Sequence, residues 1–167
     1  MAEALVRLSF NVVNMGSFVR EEVERRGLEP NDENLGRLML TLREERGGGA
    51  IAELCLPKIL GSGPLIVVDG VRSLDEVEVF KRVGEVKILA VHASPEVRLH
   101  NLSRRGRNDA PVDMVSFAAR DRRELSVGIG VVIAQADGMI VNEGVTLRGL
   151  RRRGLSFARR WLRRLED

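Results

Sequence analysis

Short apolar runs alternate with segments whose apolar residues recur at helical spacing. The runs predict strands at FNVVNM (10–15), LIVVD (65–69), VKILAVH (86–92) and MIVN (139–142). The other segments predict a helix end at 2–8 and helices at about 17–26, 32–46, 50–60, 73–82, 95–105 and 145–165, with a mostly helical stretch at 113–135 that is interrupted near Gly128 and Gly130. Because buried strands separated by helices are typical of a parallel sheet, the pattern predicts an α/β fold: a parallel sheet flanked by helices on both faces.

Local signals fix several helix ends. Ser73 and Glu76 have the spacing of a capping box, and Ser94 followed by Pro95 predicts a capped helix start. On the helix at 32–46 one apolar stripe is formed by Leu35, Leu38, Met39 and Leu42. The closing helix has an apolar side of Leu147, Leu150, Ala158, Trp161 and Leu165.

The residues just after each strand are the candidates for ligand binding, because parallel sheets bind ligands beyond the carboxyl ends of their strands. Asp69 ends a buried strand and could hold Mg²⁺ beside a nucleotide's phosphates. Gly70 would allow close approach of a ligand, and Arg72 could grip a phosphate. From this segment alone, an ordinary turn with a solvated arginine explains the residues equally well.

Arginines gather around the loop GRNDAP (106–111). Phosphoryl transfer needs positive charge that closes over the transferred group, and arginines on a lid supply it. A solvated charged face is the competing interpretation. The arginines in question are Arg98, Arg104, Arg105, Arg107, Arg120, Arg122 and Arg123.

Charge and composition bear on nucleic-acid binding, on disulfides and on location in the cell. The formal net charge of the 167 residues is +3, of which residues 148–167 contribute +6. This basic tail leaves nucleic-acid binding open as a less favoured function, although Trp161 lies on the apolar side of its helix. Cys55 is the only cysteine, so we expect a buried thiol rather than a disulfide or metal ligand. No signal peptide or membrane span is apparent, so we expect a cytoplasmic location.

Motifs that would name a reaction directly do not occur. The sequence has no G-x-x-x-x-G-K-[ST], no G-x-S-x-G and no H-E-x-x-H. The glycine-rich stretch RGGGAIAEL is followed by neither Lys-Ser nor Lys-Thr.

Several stretches in order resemble an archaeal family of P-loop kinase-like proteins related to dephospho-CoA kinase and adenylate kinase. They are MGSFVREEVERRGLEPNDENLGRLMLTLREERGGGAIAELCLPKI, VVDGVRSLDEVEVF, AVHASPEVRLHNLSRRGRNDAP, RDRRELSVGIGVVIAQAD and MIVNEGVTL. The resemblance implies a five-stranded parallel sheet, Mg²⁺ and ATP as cofactors, and a small phosphate-bearing acceptor. It implies one domain over 1–167, with a helical lid region at about 95–128 and the basic helix at about 145–165.

The resemblance also implies roles for particular residues. Met15, Gly16, Ser17 and Arg20 would face the acceptor, with Gly70 and Arg72 beside it. Asp69 would hold the metal and, together with Arg104 and Arg107, act in catalysis. The nucleotide would be bordered by Arg105, Arg120, Asn142 and Gly144.

Two departures from the family pattern limit the activity we expect. Ser17 stands where relatives carry aspartate, and serine is the poorer base. The family's first strand and Walker A loop are not in the sequence, so we expect the chain as it stands to be inactive. A non-catalytic nucleotide- or partner-binding domain is therefore the alternative function.

The family's first strand is central in the sheet, between LIVVD and VKILAVH. Without it, we expect one of three outcomes: a longer native protein, direct pairing of these two strands, or a strand lent by a second copy in a homodimer.

Overall fold

A computed structural model describes residues 1–104, 110–111 and 113–166. After a 3₁₀ helix at Ala2–Leu8, the strands are β1 (Asn11–Asn14), β2 (Ile66–Asp69), β3 (Leu89–His92) and β4 (Gly138–Val141). The helices are α1 (Met15–Arg25), α2 (Asp32–Arg46), α3 (Ala50–Leu60), α4 (Leu74–Lys81), α5 (Pro95–Ser103), α6 (Met114–Val127), α7 (Ile129–Ala134) and α8 (Leu147–Glu166). The predicted alternation of strands and helices is confirmed, and most predicted ends lie within a few residues of the observed ones.

The strands form two parallel pairs. β1 pairs with β2 in a register that runs from Asn11 opposite Ile66 to Asn14 opposite Asp69. β3 pairs with β4, and no ladder joins the two pairs among the described strands. The α/β class with parallel strands is thus confirmed. Direct pairing of β2 with β3, one of the three outcomes we considered, is not what the chain adopts.

The hydrophobic core surrounds β1 and the first three helices. Leu38, Met39 and Leu42 of the predicted α2 stripe are all buried, and Leu35 packs against the same core. Cys55 on α3 is also fully buried, as expected, and this burial raises the pKa of its thiol to about 12. The strongest sequence signals of the chain therefore lie in its best packed region.

The second strand pair has fewer buried side chains. Ile140 of β4 and Leu150 of α8 are buried, but Leu147, which we placed on the apolar side of α8, is 57% exposed. It lies at the first residue of the helix, before the helix packs on its neighbours. Trp161 is half-buried, and its ring contacts that of Phe157. No helix in the described part of the chain is both long enough and apolar enough to cross a bilayer.

Of the two helix starts predicted from capping residues, that of α4 is confirmed, and that of α5 is confirmed in position but not in its cap. Ser73 and Glu76 form both bonds of the capping box that begins α4. Pro95 is the first residue of α5, as predicted, but the Ser94 side chain makes no capping bond. The Ser94 backbone N–H instead donates to the Glu143 carboxylate, which comes from the loop after β4. A non-local partner therefore replaced the local one.

Candidate functional site

Two polar side chains meet where β1 and β2 end. Asn14 and Asp69 are the last residues of these strands and lie opposite each other in the register. The Asn14 amide Nδ2 lies 3.4 Å from Asp69 Oδ2, and the Asn14 Oδ1 accepts a bond of 3.2 Å from the Ser17 backbone N–H. Asn14 therefore caps α1 and orients an exposed carboxylate at the same time.

A glycine brings Arg72 back over this strand end. Gly70 has a φ of 104°, in the region that favours glycine, and its carbonyl accepts a 2.9 Å bond from Arg72 Nη1. A Cβ at Gly70 would lie 3.7 Å from the Met15 Cβ, so the turn packs closely on the start of α1. The guanidinium of Arg72 thus lies beside the carboxyl ends of both strands.

Arg72 is held in this position by a partner from the lid region. Its Nε donates to the Glu124 carboxylate on α6, and both side chains are mostly buried, at 22% and 17% exposed. Burial lowers the pKa of Arg72, but the attraction and hydrogen bond of Glu124, together with the charges of Glu76 and Asp69, raise it by more. Arg72 therefore remains a cation in the site.

The residues expected at the acceptor have different environments. Met15 is fully buried in the core, whereas Ser17 is exposed and its backbone N–H is bound to Asn14. Gly16 packs close to the Asn14 side chain, and Arg20 Nη1 donates to the Pro30 carbonyl at 3.1 Å. Ser17 is thus the predicted acceptor residue whose side chain is both exposed and next to the strand ends.

A second group of polar residues lies at the ends of β3 and β4. The Asn142 backbone N–H donates to the His92 carbonyl at 2.7 Å, which extends the ladder by one residue. The backbone N–H and side chain of Ser94 donate to Glu143 and lower the pKa of that carboxyl. Gly144 has a φ of 60° and is exposed. Asn142 and Gly144, two of the residues expected to border the nucleotide, therefore lie in the same loop.

The lid arginines divide between described and undescribed residues. Arg104 is exposed at the end of α5, and Arg120 on α6 pairs with Asp32 of α2 at 3.2 Å. Arg105 and Arg107 lie outside the described residues. Arg98, which we grouped with them, forms a two-bond ion pair with Asp121 and stacks over the Phe117 ring.

Sequence reasoning missed the polar partners of these residues. Asp32, Glu124 and Asn14 all contact residues that we had singled out. Of the three, Asn14 was the most accessible to prediction, because an asparagine directly before a helix is a common cap. Asp32 and Glu124 gave no such signal, since their partners lie far away in the sequence.

Mg²⁺ and ATP are compatible with the donors at the first strand pair. In the described part of the chain, no three His, Cys, Asp or Glu side chains cluster to hold a metal by themselves. Mg²⁺ needs no such cluster, because one or two carboxylates plus phosphates and water complete its shell. Asp69 is exposed and has Arg72 beside it, so a carboxylate and a guanidinium of the kinds that fit Mg²⁺ and phosphate are present.

Comparison with known proteins places these features in a family. Residues 1–116 match the family model described as AAA domain. The UPF0200 protein of Hyperthermus butylicus is 52% identical over 130 residues, which cover 77% of this chain and 70% of the relative. The UPF0200 protein of Pyrococcus abyssi is 44% identical over 149 residues, which cover 86% of this chain and 80% of the relative. That of Thermococcus gammatolerans is 43% identical over 150 residues, which cover 86% of this chain and 79% of the relative. The chain therefore belongs to the UPF0200 family and carries a P-loop kinase-like AAA domain.

Proposed function

We propose that the chain is a phosphotransferase-like domain for a small nucleotide or coenzyme-type acceptor, of the dephospho-CoA kinase and adenylate kinase type. The 167-residue chain binds Mg²⁺ and nucleotide without turnover. The observation that carries the proposal is the meeting of Asn14, Asp69 and Arg72 at the carboxyl ends of β1 and β2. Parallel α/β proteins bind their ligands at this place, and these are the side chains that phosphate and Mg²⁺ require.

Each residue would have a separate task. Asp69 would hold Mg²⁺, which supplies charge neutralisation between the phosphates when it is bound. Asn14 keeps the Asp69 carboxylate in place, and Arg72 would bind an acceptor phosphate through its guanidinium. Arg104 and Arg120 from the lid region, with the loop at Asn142 and Gly144, would border the nucleotide. Ser17 is a weak base, so we assign it to binding rather than to proton removal.

The proposed lack of turnover rests on a motif that the 167 residues do not contain. No G-x-x-x-x-G-K-[ST] occurs in the sequence, and phosphoryl transfer depends on the positioning and charge that this loop supplies. A form of the protein that included such a loop would be expected to transfer phosphate. Adding the loop therefore distinguishes two explanations of inactivity. Phosphate transfer would begin if the site lacks only this phosphate-binding loop, and would stay absent if the site is not catalytic.

The first experiment is calorimetric titration of the chain with ATP, with and without Mg²⁺. We expect weak binding that Mg²⁺ strengthens, and Asp69→Asn should make the affinity independent of Mg²⁺. Asp69 is exposed, so the substitution should not affect folding. The control is Glu45→Gln, which alters an exposed carboxylate near the end of α2.

Two results would contradict the proposal. If Asp69→Asn keeps the full Mg²⁺ dependence, then Asp69 is not the metal residue. If neither ATP nor any acceptor nucleotide binds, then the alternative, a partner-binding domain without a nucleotide site, takes its place. Phosphate transfer by the chain alone would overturn the claim that it lacks turnover.

A further inference from the structure

The lid helix α6 is attached to the rest of the molecule mainly by charge. Its one buried residue is Phe117, while Met114, Val115 and Leu125 are 47%, 75% and 56% exposed. Within the described part of the chain, ion pairs link it to α5, α2 and the turn after β2: Asp121 to Arg98, Glu124 to Arg72, and both Arg120 and Arg123 to Asp32. A helix held in this way can be released by competing charge at low cost.

Asp32 is the centre of the contact between α6 and α2. It is the first residue of α2, and its two carboxylate oxygens bind different arginines. Oδ1 lies 3.2 Å from Arg120 Nη1, and Oδ2 lies 2.6 Å from Arg123 Nη2. The Asp32 side chain is still 39% exposed, so a soluble anion can reach the same two guanidinium groups.

The backbone of α2 is shaped for this contact. Gly36, one turn after Asp32, is buried, and a Cβ added to it would lie 2.8 Å from the Cζ and Nε of Arg123. The guanidinium of Arg123 therefore lies against the helix only because position 36 has no side chain. This contact is independent of the ion pair, so the attachment of α6 to α2 depends on more than one residue.

We propose that Asp32 is an internal competitor of phosphate: it binds Arg120 and Arg123 in the ligand-free protein and keeps the lid helix latched on α2. Two oxygens of a phosphate group can accept the same paired hydrogen bonds from arginine that a carboxylate accepts, and the phosphate carries more charge. Phosphate that reaches Arg120 and Arg123 takes the place of Asp32 and frees α6 from α2. The inference rests on the proposed function, since it assumes that phosphate ligands reach these arginines.

The latch is tested by measuring the distance between α2 and α6 with pairs of spin labels. Leu40→Cys and Ala119→Cys supply exposed labelling positions on the two helices. Cys55 need not be removed, because it is buried and its pKa of about 12 keeps it a thiol that the label does not reach. The ligand-free protein should give one short, narrow distance distribution.

Removal of the Asp32 charge should lengthen and broaden the distribution of distances between α2 and α6. Asp32→Asn keeps the size of the side chain, and we expect a longer and broader distance without any ligand. Gly36→Ala should shift the distance in the same direction but less, because Arg120 can still reach Asp32. Glu33→Gln is the matched control, since Glu33 is 84% exposed and lies 3.6 Å from Arg37 rather than from α6. It should leave the distance unchanged.

The competition is tested with pyrophosphate as the anion. Added to the labelled protein that keeps Asp32, pyrophosphate should shift the distance between α2 and α6 toward that of the Asp32→Asn variant. The Asp32→Asn protein should bind pyrophosphate about tenfold more tightly, because the internal carboxylate no longer occupies the arginines.

The outcomes separate this inference from the proposed function. Identical ligand-free distances in the parent, Asp32→Asn and Gly36→Ala proteins would overturn the latch, whatever ATP binding shows. An open Asp32→Asn protein whose pyrophosphate affinity does not rise would overturn the competition. A failure of the Asp69→Asn experiment would refute the metal site and would leave the ligand-free distances as a separate result.

Discussion

The two strand pairs of this chain are stabilised in different ways. Around β1 and β2, the residues of α1, α2 and α3 form one continuous apolar core. Around β3 and β4, apolar side chains of the strands remain open to solvent: Val91, Met139 and Val141 are 41%, 47% and 47% exposed. The lid helix α6 is held by ion pairs rather than by a core, and two of its partners, Arg72 and Asp32, lie on the β1 and β2 side. The difference shows that the chain has a firmly packed scaffold that carries Asp69 and Arg72, and a loosely packed half that carries the proposed nucleotide loop.

The largest expected effect concerns the one carboxylate buried in the firmly packed half, among the residues that the structure describes. Glu76 is fully buried, pairs with Arg43 and accepts the Arg72 backbone N–H at 2.7 Å. Burial lowers the pKa of Arg43, and the charge and hydrogen bond of Glu76 oppose this shift. Glu76→Gln leaves the Arg43 charge without its partner, and we expect a loss of about 3 kcal/mol in the free energy of unfolding, measured by urea denaturation.

Glu78→Gln is the control for this prediction. Glu78 lies two residues away on the same helix and pairs with Lys81 at 2.8 Å, but both side chains are exposed. Its loss should cost less than about 0.5 kcal/mol. Equal losses in the two variants would mean that burial does not set the strength of ion pairs in this half.

A pair of valine substitutions compares the two halves directly. Val13 in β1 is 2% exposed and Val91 in β3 is 41% exposed. Val13→Ala should lower the free energy of unfolding by about 2 kcal/mol, because two methyl groups and their packing are lost from the core. Val91→Ala should cost less than about 0.5 kcal/mol, since its side chain is largely in water already.

The free energy of unfolding of both valine variants is measured by urea titration under the same conditions, so errors of extrapolation largely cancel in the comparison. A loss at Val91 as large as that at Val13 would show that β3 is covered in solution. The candidate covers would then be the strand of a second copy or of a longer form of the protein.

Local signals were sufficient to predict the firmly packed half. The α2 helix runs over Asp32–Arg46 as predicted, because its cap at Asn31, its apolar stripe and the glycine after it are all close in sequence. β3 was predicted to begin at residue 86 but pairs only from Leu89, where its register with β4 starts. Where β3 begins to pair depends on β4, which lies about fifty residues further along the chain, so the residues around β3 alone do not predict it.

The candidate site was predicted in outline for the same reason. Asp69, Gly70 and Arg72 follow a buried strand, so their place at the sheet edge could be predicted from the sequence. The partners that set their electrostatics could not, because Arg72 and Glu124 are 52 positions apart and Arg120 and Asp32 are 88 apart. Charged residues are frequent on every exposed helix face, so charge alone does not predict which of them meet.

The smallest expected effect measures what an exposed ion pair contributes in the firmly packed half. Glu22 on α1 accepts bonds from Arg25 and Arg26, which lower its pKa from 4.5 to about 2. The carboxylate therefore stabilises the fold fully above its unfolded pKa, and this stabilisation is lost as the pH falls from about 4.5 to about 2. Because both arginines are exposed, Glu22→Gln should cost only about 0.5 kcal/mol at pH 7.

The measurement is urea unfolding of the parent and Glu22→Gln at a series of pH values, with Glu24→Gln, an exposed carboxylate on the same helix, as control. The difference between parent and Glu22→Gln should shrink through that acid range and vanish at its lower end, while the Glu24→Gln difference stays near zero. A cost above about 2 kcal/mol at pH 7 would mean that exposed pairs are strong in this chain. The ion pairs of α6 would then hold the lid helix as firmly as the apolar core holds α1, α2 and α3.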